Sequence, residues 1–295
     1  MKEITLKAYA KINLALDVLG KLPNGYHQVK MVMQQINLFD TVSVAYRELP
    51  GGETAICGAT SRGDLPMDES NIAHKAAMLM KKTYRPEAGC EIRIAIDKKI
   101  PMAAGLAGGS ADGAAVMRAL ARLWELNVSP QDLAALSAQI GADVPFCLMG
   151  QEGQFCALAE GIGEQLSPVR PLSAWVMLSK PPVCVPTKEV YANLCLDECQ
   201  SHPDIEQMIK GLDTHNLPLV TANMENLLES AALRLYPEIV QTKEAIEQLR
   251  TAGAVLMSGS GPTVFGIYMN QEKAKSAYRI MKQKNAETYL VKTLG

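Results

Sequence analysis

The segment PMAAGLAGGSADGAA, Pro101 to Ala115, decides the reading of this chain, because it strips side chains from a whole loop and runs directly into a helix. Exposed backbone N–H groups and the positive end of the helix together make an anion site. Gly105, Gly108 and Gly109 are expected to adopt positive φ and to let the main chain approach a phosphate. Ser110 is expected to start and cap the helix, and to bond a phosphate or a magnesium ion. A glycine cluster is weak by itself. The alternative, that small residues here only permit a close turn and tight helix packing, stays open at this level.

The flanks make the segment a strand, a glycine loop and a helix. Glu91 to Ile100 alternates through Ile92, Ile94 and Ile96, and the helix after Ser110 would bury Ala114, Leu120, Ala121 and Trp124. Better-known phosphate loops do not fit. No Gly-Lys-Ser/Thr closes the loop. Two helices follow in succession where a dinucleotide fold needs a second strand with an acidic end, and Glu125 lies within the first of them. The His-Arg-Asp and Asp-Phe-Gly partners of a protein-kinase loop are missing. The second helix has Ser129 as N-cap, Pro130 at its first position, Asp132 in its first turn and Gly141 as its stop, which delivers the chain to Asp143.

Upstream, Ile4, Leu6, Ala8, Ala10, Ile12, Leu14, Leu16 and Val18 alternate as in a half-buried strand, with Lys7, Tyr9, Lys11, Asn13 and Asp17 on the other face. Leu49 to Ser70 reads as irregular around at most one short strand, and Asn71 caps a helix through Tyr84. Downstream, Gly161 to Ala174 marks a boundary between halves, 1–160 and 161–295. Short apolar runs follow at Trp175 to Leu178 and Val183 to Val185. Helices are predicted near Ala222 to Leu235 and Pro237 to Ala252, a strand pair or strand and turn over Ala254 to Tyr268, a helix over Gln271 to Lys284 and a strand over Thr288 to Lys292. Both halves are α/β.

A chain of 295 residues, 48% hydrophobic, supports a large core and favours two domains meeting at a cleft. With 29 basic and 31 acidic residues it has no broad positive field for nucleic acid or anionic membrane, so a small-molecule partner is expected. No apolar run reaches the roughly 18 to 20 residues that span a bilayer, and the first residues alternate instead of forming a signal core. A soluble, cytoplasmic protein is the expectation. The nearest pair of its seven cysteines, Cys195 and Cys199, has no second pair to complete a zinc site, so reduced, mostly buried thiols are expected.

Taken together, three ordered blocks resemble the GHMP kinase superfamily. Pro101 to Ala115 is similar to its second motif, AYAKINLALDVLGKLPNGYH (Ala8 to His27) to its first, and MSGSGPTVFG (Met257 to Gly266) to its glycine-rich third. Within the superfamily, Lys11-Ile12-Asn13-Leu14, Asn24-Gly25-Tyr26-His27 and Gly141-Ala142-Asp143-Val144-Pro145 resemble the diphosphocytidyl-methylerythritol kinases of isoprenoid precursor biosynthesis. The likeness covers the whole chain. It implies an N-terminal domain like the second domain of ribosomal protein S5, a ferredoxin-like C-terminal domain, an active site between them, and ATP with Mg²⁺.

The same resemblance assigns roles. Asp143 matches the catalytic carboxylate that accepts or orients the proton of the attacking hydroxyl, although an isolated Asp there would more often be a cap or turn residue. Lys11, otherwise a solvated lysine, is placed at the reaction centre, and Asn13 beside the substrate's polyol. ATP is assigned to Pro101, Met102, Ala103, Ala104, Gly105, Leu106, Ala107, Gly108, Gly109, Ser110 and Ala111. Tyr26 would stack on cytosine and His27 bond its edge, with Tyr191 as a second stacking aromatic. Gly259, Ser260 and Gly261 would lie near the phosphates or merely form a tight turn. Met257-Ser258-Gly259-Ser260-Gly261 lacks the first glycine of a nucleophile elbow, which excludes a serine hydrolase. Ala103, Ala104 and Ala107 stand where some family members have glycine, and alanine disfavours positive φ; Gly113, where alanine is common, would cost the helix up to about 1 kcal/mol.

Overall fold

A computed structural model describes residues 1–85, 87–199 and 201–295. The chain forms two compact units that interleave in sequence: Met1–Ala10, Leu38–Met102 and Ala107–Gln154 in one, Lys11–Asn37, Ala103–Leu106 and Phe155–Gly295 in the other. Two long strands, β1 (Lys2–Lys21) and β2 (His27–Glu48), pair with each other and pass through both units.

In the first unit the later part of β2 pairs antiparallel with β4 (Cys90–Asp97), and β3 (Thr54–Thr60) pairs parallel with β4 on its other side. A parallel pair needs a crossover. Here it contains α1 (Ile72–Tyr84), which Asn71 caps by accepting from Ala73 N at 2.8 Å. Then come α2 (Gly108–Leu123), α3 (Pro130–Ser137) and α4 (Val144–Gln151). The isoleucines of β4 and the alanine-rich faces of α1 and α2 bury one another, in a core that includes Ile92, Ile94, Ile96, Ala114 and Leu120. Gly113 sets how closely the helices approach. A Cβ there would lie 2.7 Å from Ile72 Cγ2, so its glycine relieves packing as well as weakening the helix.

In the second unit the early part of β2 pairs with β5 (Cys156–Glu160), which pairs with β6 (Gln165–Pro168). After β7 (Trp175–Lys180) come α5 (Thr187–Ala192), α6 (Ile205–Asp213), α7 (Leu217–Ala222), α8 (Leu228–Leu235) and α9 (Pro237–Glu247), then β8 (Ala254–Met257), β9 (Val264–Tyr268), α10 (Gln271–Lys284) and β10 (Glu287–Lys292). The strand order β10-β7-β9-β8, all antiparallel, is the 4-1-3-2 order of a ferredoxin-like sheet.

Several expectations need correction. β1 is not half-buried throughout: its outer residues alternate, but from Ala10 to Val18 both faces are buried, and Lys11 is only 4% exposed and Asn13 0%. Of the two short apolar runs, Trp175–Leu178 lies in β7 while Val183–Val185 forms no strand, and the helix predicted near Ala222–Leu235 is divided between the end of α7 and α8. All seven cysteines are free thiols, but only Cys90, Cys147 and Cys156 are buried. Among the described residues no helix is long and apolar enough to cross a membrane.

Candidate active site

The glycine loop differs from its sequence reading in an informative way. Helix α2 begins at Gly108, so Ser110 is its third residue and caps nothing; the N-cap position is Ala107 at φ 55°, with no side-chain cap. Positive φ occurs at Ala103 (48°), Gly105 (71°) and Ala107 (55°), not at Gly108 or Gly109. Two alanines therefore hold a conformation that disfavours any Cβ. The loop is a pre-formed turn that ends in free helical N–H groups.

In the first unit, a carboxylate network ties the two stems of this loop. Asp40 Oδ1 accepts Lys99 N at 2.5 Å and Ile100 N at 2.8 Å, just before the loop, while Oδ2 accepts Lys98 Nζ at 2.5 Å. The same ammonium reaches Asp112 Oδ2 on α2 at 2.6 Å. Asp40, Lys98 and Asp112 are all buried, and Asp112 Oδ1 has no hydrogen-bond partner. Burial, followed by the repulsion of Asp40, outweighs Lys98 and pushes the Asp112 carboxyl up to about 7. Burial thus favours the neutral form of the Asp112 carboxyl even with the Lys98 ammonium beside it.

Asp143 and Ser110 share the first unit. Asp143 occupies the N-cap position of α4 but does not cap it through its side chain. The turn before it runs past Ser110: a Cβ at Gly141 would lie 3.9 Å from Ser110 Oγ. Gly141 lies four residues beyond the last residue of α3, in ordinary contact range of the serine, and is not the helix stop.

The second unit holds Lys11, Asn13 and the third glycine motif. Lys11 N donates to Leu106 O at 3.1 Å, so β1 is bonded to the tip of the glycine loop. Lys11 Nζ donates to Asn13 Oδ1 at 2.7 Å, and Asn13 Nδ2 points to Met31 Sδ at 3.2 Å. The third motif forms the turn between β8 and β9, with Gly259 at φ 56° and Gly261 at φ 85°. It abuts the glycine loop: Ser258 Oγ donates to Gly105 O at 2.9 Å, and a Cβ on Gly105 would come within 2.1 Å of Ser258 O. Ser260 Oγ pairs with Thr187 Oγ1 at 2.8 Å. The turn is thus a packing partner of the loop, which the sequence could not distinguish from a simple hairpin.

The aromatic residues lie in this unit too. Gly25, at φ 87°, and the Asn24 side chain, which accepts Tyr26 N at 3.1 Å, close the β1–β2 hairpin and put Tyr26 and His27 at its end. Tyr26 is 60% exposed. His27 stacks on Tyr191 of α5 with ring centroids 4.8 Å apart and 28° between planes. Burial, followed by the nearby Lys21 charge, holds the His27 imidazole below its ordinary range. A neutral imidazole both donates and accepts, as the edge of a nucleobase requires.

No group of three or more His, Cys, Asp or Glu among the described residues is arranged to hold a metal ion. Sequence reasoning missed Asp40, Lys98 and Asp112. Only Lys98 and Asp112 left a signal, as charged residues directly flanking a loop of small ones; Asp40, on β2, reaches the loop only through the fold.

The model of the GHMP kinases N-terminal domain matches residues 71–151, and that of the GHMP kinases C-terminal domain residues 208–287. Proteins named 4-diphosphocytidyl-2-C-methyl-D-erythritol kinase are similar over nearly the whole length. That from Alkaliphilus metalliredigens is 42% identical, covering 99% of this chain and 97% of its own, and that from Brevibacillus brevis is 43% identical with the same coverage. The chain belongs to the 4-diphosphocytidyl-2-C-methyl-D-erythritol kinase family of GHMP kinases. A crystal structure of a 4-(cytidine 5'-diphospho)-2C-methyl-D-erythritol kinase superposes with a TM-score of 0.80 at 29% identity, covering 99% of this chain and 100% of that one. A homoserine kinase from Cytophaga hutchinsonii, at 21% identity and a TM-score of 0.75, shares the fold.

Proposed function

We propose that this chain is an ATP-dependent kinase that phosphorylates the 2-hydroxyl of 4-diphosphocytidyl-2-C-methyl-D-erythritol, giving the 2-phosphate and ADP in the methylerythritol phosphate route to isoprenoid precursors. The observation that carries this reading is the whole-length likeness to relatives of that name. The geometry supplies a chemistry consistent with it. Phosphoryl transfer asks a protein mainly for positioning and for charge neutralisation. The pre-formed loop Pro101–Ala111 offers backbone N–H groups at the start of α2 for the ATP phosphates, braced by Gly259–Gly261.

In the proposed step the substrate's 2-oxygen attacks the γ-phosphorus, its proton passes to the Asp143 carboxylate, and the bond from that phosphorus to the bridging oxygen of ADP breaks. Lys11 is assigned to the developing alkoxide and Asn13, whose amide oxygen already orients the Lys11 ammonium, to the polyol. Mg²⁺ would neutralise phosphate charge, with Ser110 as its protein oxygen. Tyr26, His27 and Tyr191 are assigned to cytosine; Tyr26 is the exposed ring left to stack on a base while His27 and Tyr191 already stack on each other. The division at 1–160 and 161–295, and action in the cytoplasm, belong to the same proposal.

The test is ADP release with ATP, Mg²⁺ and the cytidylated alcohol, beside homoserine, mevalonate and galactose. Stimulation by the cytidylated alcohol alone is expected. Stimulation by a rival would discard the cytosine site, and none at all would leave a nucleotide-binding protein without turnover.

A further inference from the structure

The chain entering α8, Glu225-Asn226-Leu227-Leu228-Glu229, is buried at its three middle residues and half-buried at its two glutamates. It runs beside β1: Leu16 N donates to Glu225 O at 2.8 Å and Leu227 N to Leu16 O at 3.0 Å, three residues beyond Asn13 on the same strand. The Asn226 side chain, 3% exposed, points the other way. Its Nδ2 gives one hydrogen to Met257 O and the other to Gly259 O, both at 2.8 Å, and its Oδ1 accepts Leu228 N at 3.0 Å. Both amide hydrogens are thereby used. Glu229 Oε1 accepts Met257 N at 2.6 Å, and Lys243 Nζ holds its other oxygen.

Met257 is the last residue of β8, and the third glycine turn starts after it. Both backbone groups of Met257 are fixed by side chains from one turn of chain, and the carbonyl of Gly259 is fixed by the same amide. Ser258, enclosed between these two carbonyls, is the residue whose hydroxyl reaches Gly105 O in the phosphate loop. The order therefore passes from β1 through Asn226 to the third turn, and from that turn to the loop.

We propose that Asn226, supported by Glu229, is a positioning residue for ATP: it holds the third glycine turn in the place that braces the phosphate loop. This rests on the kinase reading above. A residue that only stabilises the fold would give a different result, and the unit contains a suitable control. Asn285 is also a buried asparagine whose amide donates two hydrogen bonds, to Ser179 Oγ at 3.0 Å and Thr242 Oγ1 at 3.2 Å, but within the ferredoxin-like layer and not at either glycine motif.

The experiment compares Asn226→Ala, Asn226→Asp and Asn285→Ala by melting temperature, by the rise in melting temperature on adding ATP with Mg²⁺, and by steady-state kinetics. Both alanine variants should melt lower. Only those at Asn226 should lose most of the ATP-induced rise, and their kcat/KM for ATP should fall about tenfold to a hundredfold, with KM for the alcohol changed less than about twofold. Asn226→Asp should be impaired as severely as Asn226→Ala, because it keeps the shape and the acceptor but turns a charge toward two carbonyl oxygens. An ATP-induced rise and kcat/KM no more affected than in Asn285→Ala would overturn the proposal. If Asn226→Ala does not fold, Glu229→Gln carries the same comparison. A wild type that binds ATP but does not turn over would refute the kinase reading, while the melting shifts would still decide the role of Asn226.

Discussion

Gly105 is where the two glycine motifs touch, and replacing it with alanine separates the cost of conformation from the cost of space. At φ 71° the backbone is left-handed, which costs a residue with a Cβ about 1–2 kcal/mol. The new methyl would also lie 2.1 Å from Ser258 O and 3.0 Å from Gly261 O, both backbone atoms that no rotamer change can move. Restoring ordinary contact requires the loop and the β8–β9 turn to part by about 1.3 Å, and overpacking of that kind costs about 1–3 kcal/mol. The sum, about 2–5 kcal/mol, should lower the melting temperature by roughly 5–15 °C. A displacement of that size at a phosphate loop should also reduce kcat/KM for ATP about a hundredfold. Gly153→Ala is the control: φ is 84° there too, but nothing lies within 4 Å of the added Cβ, so only the conformational cost of about 1–2 kcal/mol remains. If Gly105→Ala and Gly153→Ala melt within a degree or two of each other, the close approach of the two motifs is not what requires glycine at 105.

Asp143→Ala should abolish turnover while ATP still raises the melting temperature; full activity in the purified variant would remove the carboxylate from the chemistry. For His27, the lowered imidazole value means that acid protonates a ring the folded protein prefers neutral, so KM for the cytidylated alcohol should rise as pH falls below the ordinary imidazole value of 6.5, and His27→Asn should flatten that profile. Asp112 gives the opposite kind of signal. With its carboxyl near 7 in the fold against 3.8 unfolded, the folded state binds the extra proton between those values, so this contribution is complete below about pH 4 and is lost as pH rises through about 7. Asp112→Asn, neutral at every pH, should therefore become more stable relative to wild type between pH 5 and pH 8 by about a few kcal/mol, read from urea midpoints; parallel pH dependences would refute the raised Asp112 value. Ala107→Gly should relieve left-handed strain at the helix start and leave net stability unchanged or raised by up to about 1 kcal/mol in a urea titration.

What was legible in the sequence was what local chemistry decides. The Asn71 and Ser129 caps, the alternation of Ile92, Ile94 and Ile96, and the small-residue loop before a helix each act within a few residues, and the structure has them where expected. What was not legible depends on partners far along the chain. Lys11 lies on the face of β1 that alternation marks as polar, yet it is buried, because other segments cover that face. Burial of a lysine requires a partner for its ammonium, and Asn13, two residues on, supplies one in the same strand. The glycine loop illustrates the limit most clearly. Its composition suggested that glycines supply every left-handed residue, whereas Ala103 and Ala107 adopt that conformation and Gly108 instead makes room for Ile100 and Lys98 beneath the helix start. Small size and conformational freedom are separate reasons for glycine, and a single sequence cannot distinguish them. Only the contacts of an added Cβ can. On that criterion Gly105 needs both, Gly108 needs only space, and the alanines at 103 and 107 hold strained backbone that the fold must stabilise from outside the loop. For the stems of the loop, that support is visible in the Asp40–Lys98–Asp112 tie; for its tip, in the bonds from Lys11 N to Leu106 O and from Ser258 Oγ to Gly105 O.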